Sequence, residues 1–139
     1  MPANLSELRA AARAARADAY APYSTFAVGA AVETTDGRRF SGANVENASY
    51  GLTICAERTA VFAAVLAGAR RLAAVAVSGP DGITTTPCGA CRQVLAEFGA
   101  PDVPVTYARA DGGWSDTTLG DLLPDAFDGA ALDTARGIA

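Results

Sequence analysis

The sequence has no histidine and no lysine, and only three of its 139 residues are cysteines. Without histidine or a fourth cysteine, the chain cannot complete the four-ligand sets that are typical of closed structural zinc sites. All eleven basic residues are arginines, and they are scattered along the chain without a basic run or stripe. With a net charge of −4, the sequence gives no electrostatic case for tight binding to nucleic acid.

Long apolar runs are absent as well. No stretch of about 18 apolar residues occurs, so no membrane-spanning helix is predicted. The first residues, MPAN, lead directly into a polar amphipathic segment and do not look like a signal peptide. An odd number of cysteines with metal-like spacing is typical of reduced thiols, not of a disulfide framework. We therefore expect a cytoplasmic protein that contacts neither a membrane nor a polynucleotide.

Half of the residues are hydrophobic, and the length suits a single domain over residues 1–139. The tail from about residue 128 to 139 is rich in alanine, glycine and aspartate, and we expect it to be flexible. Hydrophobic periodicity and turn residues predict helices over 5–20, 55–68, 88–98 and near 119–123, and strands over 27–34, 39–46, 72–78, 103–110 and 114–118. Because strands and helices alternate in the middle of the chain, a mixed α/β sheet with helices on its faces is favoured.

The three cysteines fall in two short motifs, CAE at residues 55–57 and PCGAC at residues 87–91. Cys88 and Cys91 begin a predicted helix, and their spacing brings both sulfurs within reach of one ion. Cys55 begins another predicted helix, and helix N-termini favour thiolates over thiols. Three thiolates with a fourth position left to water have the layout of a catalytic zinc site.

Glu57 lies two residues after the first thiolate, where a zinc-bound water needs a proton carrier. Zinc lowers the pKa of such a water toward about 7. Arg58 is in a position to hydrogen-bond the sulfurs and to offset the net negative charge of a three-thiolate zinc site. A Cys-x-x-Cys pair alone is also compatible with a redox pair, a structural zinc half-site or a chance occurrence, but redox chemistry explains neither Cys55 nor Glu57.

The longer segments around these motifs, CAERTA at 55–60 and PCGACRQ at 87–93, resemble cytidine deaminase of the small homotetrameric nucleoside type. YSTFAVGA at 23–30, NVENA at 44–48 and LLP at 122–124 extend the resemblance to nearly the whole chain, apart from the last dozen residues. It implies an α/β three-layer sandwich, in which a mixed five-stranded sheet carries helices on both faces. It also implies one Zn²⁺ per subunit and a homotetramer with shared active sites.

This resemblance implies a reaction of pyrimidine salvage. Cytidine and 2′-deoxycytidine are deaminated hydrolytically to uridine and 2′-deoxyuridine, with release of ammonia. Zinc-bound hydroxide attacks C4 of the cytosine ring, and Glu57 shuttles protons to N3 and to the departing amine. The three cysteines are then the zinc ligands, with Arg58 supporting the thiolates. The backbone N–H of Ala56 is expected to hold the base O2, and the backbone carbonyl of Thr86 to meet the leaving amine.

Five further side chains resemble substrate contacts of the family. Asn44 and Glu46 resemble the clamp on the ribose 3′-hydroxyl, and residues two apart on a strand point to one side. The sequence alone is also compatible with two solvent-facing loop residues there. Phe26 resembles the aromatic that packs on the pyrimidine, with an ordinary core phenylalanine as the alternative. Tyr50 is expected to line the pocket, from its own or a neighbouring subunit, and Phe127 to close the pocket of another subunit.

Three rival functions share part of the pattern. Blasticidin S deaminases share both cysteine motifs, although the Asn44 and Glu46 pair favours a ribonucleoside substrate. A polynucleotide-editing deaminase needs a basic channel that this chain lacks. A zinc-stabilised binding module without catalysis would use Glu57 or another carboxylate as the fourth ligand. The departures from the family, Ala27 where several relatives have proline and Ser49 where some have cysteine, do not touch the chemistry.

Overall fold

The structure, a computed structural model, describes residues 3–137. One sheet is built from five strands, namely β1 (Gly29–Thr34), β2 (Arg39–Ala43), β3 (Leu72–Ser78), β4 (Pro104–Ala108) and β5 (Trp114–Thr118). The strand order is β2-β1-β3-β4-β5. Only β3 and β4 run parallel, and the other neighbouring pairs are antiparallel. The predicted mixed five-stranded sheet is therefore confirmed.

Helices cover both faces of this sheet. They are α1 (Leu5–Ala15), α2 (Ala56–Leu66), α3 (Gly89–Phe98), α4 (Leu119–Leu122) and α5 (Gly129–Ala135), with short 3₁₀ turns over Arg16–Asp18 and Tyr50–Leu52. Helix α1 packs on one face, and α2 and α3 pack on the other, so the predicted three layers are present. Within residues 3–137, every helix is too short or too polar to span a bilayer.

The two faces of β3 differ in side-chain size because successive strand residues point to opposite sides. Val75 and Val77 belong to the larger core beneath α2 and α3. Ala74 and Ala76 meet α1 on the other face, around Leu8. Small side chains on that face let α1 lie close to the sheet, so the larger core develops on the side where α2 and α3 begin.

The predicted helix over residues 5–20 is shorter in the structure. Helix α1 ends at Ala15, and the chain then turns through Arg16–Asp18. The N–H of Tyr20 donates to the carbonyl of Asn44 at 2.9 Å. A long-range backbone bond thus replaces the helical bonds that the local apolar spacing favours.

The strand predicted over residues 39–46 also ends early. Strand β2 stops at Ala43, and Val45 pairs instead with Ile54, whose N–H and carbonyl form two 2.9 Å backbone bonds with it. The premise that Asn44 and Glu46 alternate on a regular strand is therefore wrong. They lie in an irregular segment that runs beside the start of α2.

The C-terminal region contains a helix that the sequence analysis did not predict. Asp128 caps α5, accepting from the N–H of Ala131 at 3.3 Å. Residues 138 and 139 lie outside the described residues. The flexibility expected for the tail stays a prediction.

Candidate active site

The starts of α2 and α3 bring the three thiols together. Cys55 and Cys88 are the N-cap residues of these helices, and neither side chain caps its own helix. Cys91 lies one turn into α3. The Sγ atoms of Cys55 and Cys88 are 3.9 Å apart, and those of Cys88 and Cys91 are 3.5 Å apart. All three ligand atoms lie within 4.8 Å of one another.

This spacing fits a zinc ion. Sulfurs bound at about 2.3 Å in a tetrahedral arrangement are about 3.8 Å apart, a value between the two measured separations. Within residues 3–137, the three thiols are the single group of this kind, and no carboxylate oxygen joins them. Because the protein supplies three ligands, a fourth coordination position is left for water or substrate.

Hydrogen bonding sets the charge of the thiols. The Cys91 thiol and the Arg58 guanidinium, whose Nη2 lies 3.3 Å from the Cys55 Sγ, lower the pKa of Cys55 to about 5. The same Cys55 contact, together with burial, raises the pKa of Cys91. The Arg58 contact therefore favours the thiolate form of Cys55, which is the form that ligates a metal ion.

Glu57 is an acid in an unusual environment. It is only 4% exposed. Burial, and secondarily the negative charge of Cys55, raises the pKa of Glu57 to about 7. A carboxyl group with this pKa can both accept and donate a proton near neutrality, which suits general acid–base catalysis.

A cavity of about 240 Å³ opens onto Cys55, Cys88 and Glu57, and Cys91 lies buried behind them. Its lining includes the five residues that were predicted to contact the base and the sugar within one subunit, namely Phe26, Asn44, Glu46, Ala56 and Thr86. Most of the exposed lining is apolar, as is usual where a small organic ligand binds. The structure thus brings these candidates together in one site.

Asn44 supports the cavity wall as well as lining it. Its Oδ1 accepts from the Val28 N–H at 2.9 Å, and its Nδ2 donates to the Phe26 carbonyl at 2.8 Å. The side chain is almost fully buried. Asn44 therefore fixes the backbone that carries Phe26, which explains an amide at this position even before a ligand is considered.

Glu46 is held by the loop before Phe26. Its Oε1 accepts from the N–H groups of Tyr23 and Ser24 at 2.9 and 3.1 Å, and its Oε2 accepts from the Ser24 hydroxyl. These bonds, led by the hydroxyl, lower the pKa of Glu46. Ser24 also lines the cavity, and sequence reasoning missed it as a site residue. The available signal was its place at the end of a turn two residues before Phe26.

Two predicted contacts lie outside the cavity of this subunit. Tyr50 is 75% exposed and borders a neighbouring cavity, where its ring centroid lies 6.0 Å from that of Tyr23. Phe127 is 63% exposed, and its backbone carbonyl accepts from Gln93 Nε2 at 2.8 Å. Both positions are compatible with a contribution to the site of another subunit, which stays a prediction.

Known proteins resemble this chain over most of its length. Residues 3–107 match the family model described as the cytidine and deoxycytidylate deaminase zinc-binding region. The cytidine deaminase of Sporosarcina psychrophila is 46% identical over 124 residues, covering 89% of this chain and 91% of that protein. For cytidine deaminase of Mycobacterium tuberculosis the identity is 50% over 120 residues, covering 86% of each. A crystal structure of cytidine deaminase from Burkholderia pseudomallei superposes with a TM-score of 0.84 at 54% identity, covering 90% of this chain and 100% of that one.

Proposed function

The chain belongs to the cytidine deaminase family and is a zinc-dependent hydrolytic deaminase, and on this basis we propose that it converts cytidine and 2′-deoxycytidine to the corresponding uridines. The observation that carries the proposal is that one cavity is lined by two members of the thiol cluster, Cys55 and Cys88, by Glu57 and by the candidate contacts to the base and the sugar. Ammonia is the second product. We place the reaction in cytoplasmic pyrimidine salvage.

Cys55, Cys88 and Cys91 are the proposed ligands of one Zn²⁺ per subunit. The separations of their sulfurs support this assignment. When bound, zinc supplies a Lewis acid that activates a water molecule for attack on the ring at neutral pH. Arg58 donates to the Cys55 sulfur and so offsets part of the thiolate charge.

Glu57 is the proposed proton carrier. It takes a proton from the attacking water and places it on N3 of the cytosine ring as C4 accepts the oxygen. It then carries the remaining proton to the amino group, which leaves as ammonia. Its burial and its pKa of about 7 support a group that accepts and donates in turn.

The remaining cavity residues are proposed to orient the nucleoside. Phe26 packs on the pyrimidine, and Asn44 and Glu46 hold the 3′-hydroxyl of the sugar. Ala56 is the first residue of α2, so its N–H lacks an intrahelical acceptor and is available to the base O2. The carbonyl of Thr86 receives the leaving amine. The position of all five in the cavity lining supports this arrangement.

A homotetramer with shared active sites is part of the proposal. Large exposed apolar side chains, including Tyr50 and Phe127, are typical of surfaces that a partner covers. In this arrangement Phe127 closes the cavity of a neighbouring subunit, and Tyr50, which lies outside the cavity of its own subunit, contributes to the lining of a neighbour's cavity.

A turnover assay on purified protein tests the function directly. Loss of ultraviolet absorbance is followed with cytidine and with blasticidin S, and zinc content is measured on the same sample. We expect about one zinc per subunit and rapid consumption of cytidine. A preference for blasticidin S would contradict the nucleoside assignment. Zinc-loaded protein that converts neither compound would favour the binding module instead.

A further inference from the structure

The first turn of α2 is joined to the end of β2 by a side chain that lines no part of the cavity. The hydroxyl oxygen of Thr59 lies 2.9 Å from the carbonyl oxygens of both Ala43 and Ala56. A threonine hydroxyl that bonds to the preceding helical turn is common. The single hydroxyl proton is shared between the two carbonyls, and the contact with Ala43 is different because it links the helix to a residue 16 positions away in another element.

The backbones of these two elements are in direct contact beneath Thr59. A Cβ atom on Gly42 would lie 2.4 Å from the backbone nitrogen of Ala60, 2.5 Å from the carbonyl oxygen of Ala56 and 2.4 Å from the hydroxyl of Thr59. Two of those three atoms belong to the helix backbone and cannot move aside like the end of a flexible side chain. At Gly42 the helix backbone therefore lies directly against β2, with no β2 side chain between them to adapt to a change in spacing.

Two kinds of site residue meet across this contact. Cys55, Glu57 and Arg58 lie within one turn before Thr59 on the helix side. Asn44 directly follows Ala43 on the other side, and Glu46 comes two residues later. The contact therefore sets the separation between the residues proposed for the reaction and those proposed for the sugar.

We infer that Thr59, seated on Gly42, is a positioning residue that aligns the sugar-binding residues with the reacting residues. The inference rests on the proposed function, in which Asn44 and Glu46 hold the 3′-hydroxyl. Binding energy from a remote part of a substrate speeds a reaction only when that part is held in fixed relation to the reacting atoms. Thr59 supplies that relation without touching the substrate.

Thr59→Val removes the hydroxyl and keeps the shape, and Thr59→Ser keeps the hydroxyl. The values of kcat and KM are measured with cytidine and with 3′-deoxycytidine, alongside zinc content and melting temperature. We expect Thr59→Val to retain zinc and to reduce the preference for cytidine over 3′-deoxycytidine by about two- to tenfold, the range of one hydrogen bond. Thr59→Ser should restore the preference.

Thr106→Val is the matched control. Thr106 is fully buried on β4, where its hydroxyl accepts from Arg9 Nε at 2.9 Å on the α1 face of the sheet. This variant should lower the melting temperature and leave the substrate preference unchanged. Gly42→Ala should reduce the preference more than Thr59→Val does. If Gly42→Ala fails to fold, the threonine variants still decide the question.

Two outcomes would overturn the inference, and only the first of them would also contradict the proposed sugar contact. If the unmodified enzyme does not distinguish the two nucleosides, the proposed sugar contact is wrong and the role of Thr59 fails with it. If it does distinguish them but Thr59→Val loses activity equally toward both, the sugar contact stands and Thr59 is merely structural.

Discussion

The first turns of α2 and α3 begin alike and contribute different chemistry. Each starts with an N-cap cysteine whose side chain leaves the helix uncapped. Helix α2 then presents Glu57 and Arg58, whereas α3 presents Cys91 and has no acidic residue in its first turn. In the proposed function, helix α3 therefore contributes metal ligands alone, while α2 combines a ligand with the proton carrier. Metal binding and proton transfer should be separable by substitution.

The two turns are also anchored differently. Helix α2 rests on β2 through backbone contact at Gly42. Helix α3 is tied by a long side chain, since Arg92 donates from Nε to the Pro87 carbonyl at 2.7 Å and from Nη1 to the Leu122 carbonyl at 2.9 Å. A substitution that shifts the start of α2 slightly should therefore reduce activity more than one that shifts the start of α3 by the same amount.

The largest effect is expected from Glu57→Gln. The amide keeps the size of the side chain but cannot carry the proton, so kcat should fall by about 10²- to 10⁴-fold. Zinc content should stay near that of the unmodified protein. Single-turnover kinetics and metal analysis on the same sample measure both quantities. Glu97→Gln, at an exposed position on α3, is the control and should remain active. Loss of zinc together with activity would mean that Glu57 is a ligand.

An intermediate effect is expected from Arg58→Ala. The Cys55 thiolate loses a charged donor, a contact typically worth about 1.5–3 kcal/mol. Turnover should therefore fall by roughly ten- to a hundredfold while much of the zinc is retained. Steady-state kinetics with zinc determination is the measurement. Arg58→Lys should recover only part of the rate because an ammonium lacks the planar fork. Normal turnover in Arg58→Ala would refute this role.

The smallest effect is expected from Arg92→Lys on the α3 side. Lysine keeps the charge but cannot reach both carbonyls with the same geometry, so about 1 kcal/mol of stability should be lost. The melting temperature should fall by a few degrees, with kcat changed less than in Arg58→Ala. Arg71→Lys, at an exposed position, is the control, and it should change neither the melting temperature nor kcat. A loss of rate as large as that of Arg58→Ala would remove the distinction between the two turns.

Residue identity predicted which side chains of the candidate site lie together, because these residues are scarce and chemically specific. The three thiols that the spacing placed around one ion do lie together, and Glu57 opens into the same cavity. The mixed sheet followed from local patterns of alternation and turns. The buried environment of Glu57 could not be derived from the sequence, because burial depends on the packing of α2 against the sheet.

The misjudged parts depend on contacts between distant residues. Tyr20 leaves the helical pattern to pair with Asn44, and Val45 leaves the strand pattern to pair with Ile54. Neither partner can be identified from local periodicity. The close contact at Gly42 could not be predicted for the same reason, because its neighbours in the sequence do not indicate that a helix backbone lies against it. Thr59 was therefore missed for the same reason.

The three clustered thiols have a practical consequence for anyone who handles the protein. They are the only cysteines in the sequence, so a thiol-specific reagent can label nothing else. The amount of reagent consumed therefore measures the fraction of molecules without bound metal, because a ligated ion protects the sulfurs from the reagent. The same proximity makes stripped protein vulnerable to oxidation, because neighbouring sulfurs at 3.5 Å need little movement to form a bond that would bar the ion from returning.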